Sequence, residues 1–118
     1  MMRAAAVVLL CVAAAALAGC RSSAPLAPKS QVQTTLSNLG IYCGQATQLE
    51  AFPGHSAGVT QLDQQATRSA RDLIRIMRAD PEATYLGQNM RRVVGTAAKE
   101  MDSCYLSKAS SLLWRSLG

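Results

Sequence analysis

Aromatic residues and histidine are scarce in this chain, and their scarcity excludes several functions. Phe, Trp and Tyr together make up 4% of 118 residues, too few for the stacking platforms on which single-stranded nucleic-acid binders depend. The net charge of +5 is too small to indicate nucleic-acid binding by itself. His55 is the single histidine, and no Ser, Asp or Cys stands near it at triad spacing, so we interpret it as a solvated loop residue.

Catalytic and phosphate-binding motifs are also missing. The sequence contains no Gly-rich phosphate loop, no HExxH and no G-x-S-x-G. No segment after residue 19 shows the sustained alternation or the β-branched density that predicts a strand. We therefore expect an all-α domain that is not an enzyme and has no catalytic residue, cofactor or metal site.

The first 19 residues have the pattern of a secretory signal peptide. Met1-Met2-Arg3 is a short basic start, and an unbroken apolar run of 14 residues follows it from Ala4 to Leu17. A spanning helix needs about 20 apolar residues, so this run is too short for a stable transmembrane anchor. Removal of residues 1–19 leaves 99 residues, which is enough for one small domain.

Leu17-Ala18-Gly19-Cys20 resembles the lipobox of bacterial lipoproteins, in which a diacylglycerol is attached to the cysteine thiol and a peptidase cuts just before it. The alternative is an ordinary cleaved signal whose first mature residue is cysteine. Residues 20–29 contain two prolines and predict a lipidated anchor with an extended tether that reaches about 25 to 30 Å. Arg21 stands where lipoproteins of the inner membrane usually carry Asp, so the resemblance implies the outer membrane, facing the periplasm.

Residues 30–118 predict a small up-and-down bundle of three helices, with four as the alternative. The first helix begins at Ser30, with Gln33 in capping-box position. Gly40 and Gly44 either permit close contact with a neighbouring helix, which we favour, or break the first helix. Its apolar stripe consists of Val32, Leu36, Leu39, Cys43 and Ala46.

Residues 52–58 predict a loop, after which a second helix begins at Val59 or Thr60 and ends at Asp80. We expect Asp80 to cap a third helix with Pro81 in its first position, and we expect that helix to continue through Leu112 and Leu113. The stripe of the second helix is Leu62, Ala66, Ala70, Leu73 and Met77, and that of the third is Leu86, Met90, Val93, Ala97, Met101 and Cys104.

Four cysteines sort by position along the chain. Cys11 is removed with the leader and Cys20 is lipidated, which leaves Cys43 and Cys104 on the apolar stripes of the first and third helices. One remaining pair in an exported protein usually forms a disulfide. A redox pair or a metal site is the alternative, although redox pairs are more often spaced as C-x-x-C and zinc needs about four ligands.

Arginines line one face of the second helix, at spacings of three, four and three residues. Their mean direction is roughly opposite the apolar stripe, so the core does not use them. Guanidinium groups bind carboxylates and phosphates in a planar fork, so the face is a candidate surface for an anionic partner; an ordinary solvated face is the alternative. Arg91 and Arg92 are expected to extend it from the next helix. The face consists of Arg68, Arg71, Arg75 and Arg78.

The leader, the lipobox, the helical remainder and a cysteine in both the first and the last helix together resemble the pilotins of type II secretion systems. Leu39-Gly40-Ile41-Tyr42-Cys43 and Cys104-Tyr105-Leu106 carry this similarity. Pilotins are small outer-membrane lipoproteins whose disulfide-linked bundle binds a segment of the secretin. They have four helices where the sequence here predicts three.

Two functions follow as hypotheses. The first is an assembly factor, held to the membrane by its lipid, that binds an amphipathic segment of an envelope protein in a groove lined by Leu86, Met90 and Leu112. The second is an adaptor that holds anionic envelope polymers or lipid head groups through the arginine face. Neither involves nucleic acid.

The lipobox makes a prediction that mass spectrometry checks directly. The mature protein is expected to begin at Cys20 and to carry acyl chains on it, because cleavage and lipidation occur at the same cysteine. A Cys20→Ser variant is expected to carry none. An unmodified thiol at Cys20, or a mature chain that retains the leader, contradicts the prediction.

Overall fold

The computed structural model describes residues 25–50 and 56–118, which form a small all-α bundle of four helices. Helix α1 spans Lys29–Glu50 and α2 spans Ser56–Ala79; a minimal antiparallel pair of strands follows, β1 (Thr84–Tyr85) and β2 (Gln88–Asn89). Helix α3 then spans Met90–Ser103 and α4 spans Ser107–Ser116. Directions alternate along the chain, so α1 and α3 run one way and α2 and α4 the other. The predicted all-α bundle is confirmed, in its four-helix form.

Helix α1 begins one residue before the predicted start, and its apolar stripe is the expected one. Val32, Leu39 and Ala46 are fully buried, while Leu36 and Cys43 pack against the core from partly buried positions. The helix continues through Gly40 and Gly44, yet a Cβ at either glycine would meet no atom within 4 Å. The expected close contact at these glycines is therefore wrong.

Close contact between α1 and α2 occurs instead at Gly58, where a Cβ would lie 2.9 Å from Cδ1 of Leu49. Gly58 belongs to α2, which begins at Ser56 rather than at the predicted Val59 or Thr60. The predicted loop, residues 52–58, is thus three residues too long at its C-terminal end. Residues 51–55, which include His55, lie outside the described residues. Of the predicted stripe of α2, Leu62 packs against the core from a partly buried position, and the other four residues are buried. Ile74 and Ile76 are buried beside them and widen the stripe.

The predicted beginning of the third helix is wrong, because residues 80–89 form a turn and a hairpin. The amide of Ala83 donates to the carbonyl of Asp80 at 3.1 Å, and the amide of Glu82 donates to the Asp80 carboxylate at 3.2 Å. Asp followed by Pro favours such a turn as much as it favours a helix start. Leu86 and Gly87 both have positive φ, 50° and 82°, which a two-residue hairpin turn requires.

Asn89, at the end of this hairpin, is the residue that caps α3. Its side-chain oxygen accepts a hydrogen bond from the amide of Arg92 at 2.9 Å. From Met90 onward the predicted stripe is confirmed: Met90, Val93, Ala97 and Met101 are all buried. Leu86, which we expected in the same stripe, is 74% exposed because it stands in the hairpin turn.

Helix α3 ends at residue 103 instead of continuing to Leu113. The amide of Leu106 donates to the Met101 carbonyl at 3.0 Å, and that of Tyr105 donates to the Asp102 carbonyl at 3.5 Å. With Tyr105 at φ 70°, these bonds form the reversal that commonly ends a helix with glycine. A tyrosine in this left-handed conformation lowers stability by roughly 1 kcal/mol. Because no glycine stands at this position, the sequence does not predict the turn.

The predicted disulfide between Cys43 and Cys104 is present, with the two Cα atoms 5.4 Å apart. It joins the middle of α1 to the residue that follows α3. Cys104 is almost fully buried, and Cys43 is half-buried. The bond closes a loop of 61 residues and holds α1 beside the reversal at the end of α3.

The end of the predicted tether belongs to the bundle. The amide of Ala27 donates to the carbonyl of Thr84, and the amide of Thr84 donates to the carbonyl of Pro25, both at 2.9 Å. Ala27 is itself buried. Residues 25–29 are therefore not a free tether, contrary to expectation. Residues 1–24, with the leader and Cys20, lie outside the described residues.

Reduction of the disulfide is expected to lower the melting temperature by about 10 °C or more. Closing a 61-residue loop restricts the unfolded chain by about 4 kcal/mol in the chain-entropy model, and each kcal/mol shifts the melting temperature of a domain this size by about 4 to 8 °C. Circular dichroism with and without reductant measures the shift. A Cys43→Ala/Cys104→Ala variant is the control, since reductant should leave its melt unchanged. An equal melt of the native protein in both conditions contradicts the prediction.

Candidate functional site

The arginines of α2 lie on its solvent side, as the helical spacing predicts. Arg68, Arg71, Arg75 and Arg78 are all exposed, while Ala70, Leu73 and Met77 face the core. Arg75 pairs with Asp72, and this is the one ion pair formed among residues 25–50 and 56–118. The arginine face of α2 is therefore accessible to solvent or to a binding partner.

A further guanidinium, from α4, turns part of this face into a groove. Arg115 stands across from Arg71, Arg75 and Arg78, and the four line a depression of about 460 Å³ between α2 and α4. Ile74 and Leu112 also line it and supply apolar surface between the charges. We call this depression the arginine groove. Arg68 lies outside it, one turn nearer the beginning of α2.

Arg91 and Arg92 do not extend the arginine face, contrary to expectation. They lie on α3, beside Lys99 and Trp114, on the other flank of α4. Sequence reasoning also misses Arg115, because the third helix was expected to continue through Leu113, without the reversal that brings this side chain beside α2. No local sequence feature predicts that Arg115 lies beside α2, because its position there depends on the reversal at residues 104–106.

A carboxylate from α2 holds α4 in the position that forms the groove. The backbone amides of Lys108 and Ala109, in the first turn of α4, donate to the two carboxylate oxygens of Asp63, each at 2.9 Å. Asp63 therefore acts as an N-cap supplied by another helix, and its negative charge faces the positive end of the α4 dipole. No local sequence pattern marks this role, because 45 residues separate Asp63 from Lys108.

A second buried contact ties α4 to α3. The hydroxyl of Ser110, which is almost fully buried, donates to the carbonyl of Ala98 at 3.1 Å. The guanidinium of Arg91 donates to the carbonyl of Leu117 at 2.7 Å, near the end of α4. Helix α4 is thus fixed at both ends. Arg115 belongs to this fixed helix and not to a loop, so its backbone position beside α2 is defined.

The arginine groove is suited to an anionic ligand that also has apolar surface. Within the described part of the chain, the guanidinium groups of Arg71, Arg78 and Arg115 have no carboxylate partner. Guanidinium groups gathered on one surface repel each other, and a carboxylate or phosphate placed between them relieves that repulsion. The side chains of Ile74 and Leu112 favour a ligand that carries methyl or methylene groups beside its charge.

The apolar groove that we expected from Leu86, Met90 and Leu112 does not form. Met90 is fully buried, and Leu112 lines the arginine groove. Leu86 lies in the hairpin turn, where it borders a shallow depression with Leu36 and Val93. These three residues are separated because the hairpin and the reversal after α3 place them on different faces.

Among residues 25–50 and 56–118, no three His, Cys, Asp or Glu side chains gather where they could hold a metal ion. No helix of this same part is both long and apolar enough to cross a bilayer. Two residues singled out from the sequence, Cys20 and His55, lie outside the described residues, so the structure does not bear on their roles.

The chain matches no protein-family model, no curated protein and no solved structure. The resemblances to lipoproteins and to pilotins therefore remain predictions from residues and pattern. The arginine groove has to be judged by its own chemistry.

Asp63→Ala is expected to lower the free energy of unfolding by about 1 to 2 kcal/mol, because two amides at the beginning of α4 lose their acceptor. Chemical denaturation followed by circular dichroism measures the loss. Asp102→Ala is the matched control: Asp102 is exposed, its side chain makes no hydrogen bond within the described residues, and the change should stay within about 0.5 kcal/mol. Equal stability of Asp63→Ala and the control would show that the cap is unimportant.

Proposed function

We propose that this protein is a non-catalytic lipoprotein of the bacterial envelope that binds an acidic, amphipathic segment of another envelope protein in the arginine groove. In this proposal acyl chains on Cys20 anchor the protein, at the outer membrane facing the periplasm, and the helical bundle acts as an assembly or targeting factor. The observation that carries the proposal is the position of Arg71, Arg78 and Arg115, unpaired within the described residues, around Ile74 and Leu112.

Charge and apolar surface together favour a protein segment as the ligand. An amphipathic helix with leucines on one side and glutamates beside them fits a groove that has Leu112 between guanidinium groups. Binding in this mode gains from apolar contact and from several charge-assisted hydrogen bonds. The four helices and the Cys43–Cys104 disulfide are features that the resemblance to pilotins implies, and they support an assembly role of that kind.

An adaptor for anionic envelope polymers is the second candidate function. This function is favoured because the arginine face continues beyond the groove to Arg68, which is exposed. A long polymer requires charges that extend beyond one groove. Polymer binding depends on charge alone and gains nothing from Ile74 or Leu112. The two functions therefore differ in how much they need the apolar surface.

Two designed helical peptides separate these functions and test the groove. One carries leucines at helical spacing flanked by glutamates, and the other carries the same glutamates with serine in place of leucine. We expect the first peptide to bind more tightly, with an affinity that falls as salt rises. Isothermal titration calorimetry measures both affinities.

Arg71→Glu/Arg115→Glu is expected to weaken binding of the leucine-containing peptide at least about tenfold, because two attractions become repulsions. Lys29→Glu/Lys108→Glu is the matched control, with the same change in net charge at exposed positions outside the groove and outside the arginine face. Equal binding of the two peptides favours the polymer adaptor. Equal loss in both double variants, or no binding of either peptide, contradicts the arginine groove as a protein-binding site.

A further inference from the structure

A second basic surface lies on the other flank of α4 and has a different composition. Arg91, Arg92 and Lys99 of α3 surround Trp114 of α4, next to Gly95. We call it the Trp114 surface. None of the described residues that line it has a carboxylate side chain. Of the acidic residues of α3, Glu100 lines the depression against α1, and Asp102 follows Lys99 by three residues toward the far end of the helix.

Trp114 is the single tryptophan of the chain, and this large aromatic side chain is 41% exposed. Tryptophan with lysine and arginine around it is the side-chain combination that lies at the interface between lipid and water. The indole enters the head-group layer, and the cations contact the phosphates. Among the described residues that line the arginine groove, by contrast, none is aromatic.

The place where the chain joins the bundle is close to this surface. Pro25 and Ala27 are hydrogen-bonded to Thr84, and Thr84 pairs with Asn89, the cap of α3. Arg91 and Arg92 are the second and third residues of that helix. The chain from Cys20 to Pro25 therefore ends at the same end of the bundle as these two arginines.

This attachment shortens the distance between the body and an anchor at Cys20. Five residues separate Cys20 from Pro25, and a fully extended chain of that length spans at most about 18 Å. The tether that the sequence predicts, from residue 20 to residue 29, would at the same extension be nearly twice as long. An anchor on so short a connection keeps the beginning of α3 near the lipid head groups.

The two basic surfaces take opposite flanks of α4. At 100° per residue, Leu112, Arg115 and Ser116 cluster on one side of its buried face, and Trp114 and Leu117 cluster on the other. A bundle that rests on the Trp114 surface therefore turns the arginine groove away from the bilayer. A partner can then occupy the groove without competing with lipid.

We propose that the Trp114 surface binds an anionic phospholipid bilayer and orients the anchored bundle on it. This inference rests on the proposed lipid anchor for the position of the protein, but the surface chemistry stands on Trp114 and the three cations. Its occupant is a lipid surface rather than an acidic protein, because the indole stands among cations at the end where the chain joins the bundle.

The single tryptophan makes the test specific, because all tryptophan emission comes from this surface. Protein purified from membranes of cells that express the full chain is placed with vesicles of phosphatidylcholine, with or without phosphatidylglycerol. Phosphatidylglycerol is expected to shift the emission to shorter wavelength and to allow quenching by brominated acyl chains. At 1 M salt, where charges are screened beyond about 3 Å, the shift and the quenching should be lost.

Arg92→Glu/Lys99→Glu is expected to reduce the quenched population at least about tenfold, since each cation near an anionic surface favours the bound state about fivefold. Arg68→Glu/Lys108→Glu, with the same change in net charge at other positions, should quench like the native protein. Circular dichroism checks the fold of each variant, and Arg92→Gln/Lys99→Gln is the milder alternative if the reversals unfold.

Flotation separates failure of this proposal from failure of the anchor. Flotation with neutral vesicles, but no effect of phosphatidylglycerol on Trp114, overturns the surface and leaves the anchor. Flotation with anionic vesicles alone, with Trp114 quenched, supports the Trp114 surface and contradicts the lipid anchor. Flotation with neither overturns both, and equal loss in the two charge-reversal variants overturns the surface.

Discussion

At the end of α3 the amide of Leu106 bonds to the carbonyl of Met101, and the chain reverses. A continuous helix from Met90 to residue 116 would be about 40 Å long, which is longer than either α1 or α2. The reversal folds that length into two short helices that cover each other. It also places Cys104 next to Cys43, so the disulfide and the reversal hold the same point of the bundle.

Docking of α4 onto α2 depends on this reversal and on one carboxylate. Asp63 binds the first amides of α4, and Ser110 and Arg91 tie the same helix to α3. Beside these polar contacts, Leu106, Ala109 and Leu113 are fully buried and dock the beginning and the inner face of α4 on the core. The position of Arg115 is therefore a consequence of contacts that fix the whole of α4, and Asp63 and Ser110 act on it from more than one helical turn away.

The charges of the bundle are distributed so that α4 separates two kinds of surface. One flank has guanidinium groups around aliphatic side chains, and the other has cations around an indole. Net charge alone cannot distinguish these surfaces, because both are basic. Their apolar neighbours make the difference, and in the proposed arrangement one surface binds lipid and the other binds a partner.

The sequence by itself determined the all-α class, the buried faces of α1 and α2, most of that of α3, the exposure of four arginines and the pairing of two cysteines. These features are local: helical periodicity and cysteine number decide them. Tertiary structure alone decided the hairpin at residues 84–89, the break at 104–106 and the groove completed by Arg115. Asp-Pro suits both a turn and a helix start, and Tyr105 carries no local signal for positive φ. Whether these two segments form turns or helix depends on how the third apolar stripe is buried against α1 and α2. That burial is a property of the whole bundle.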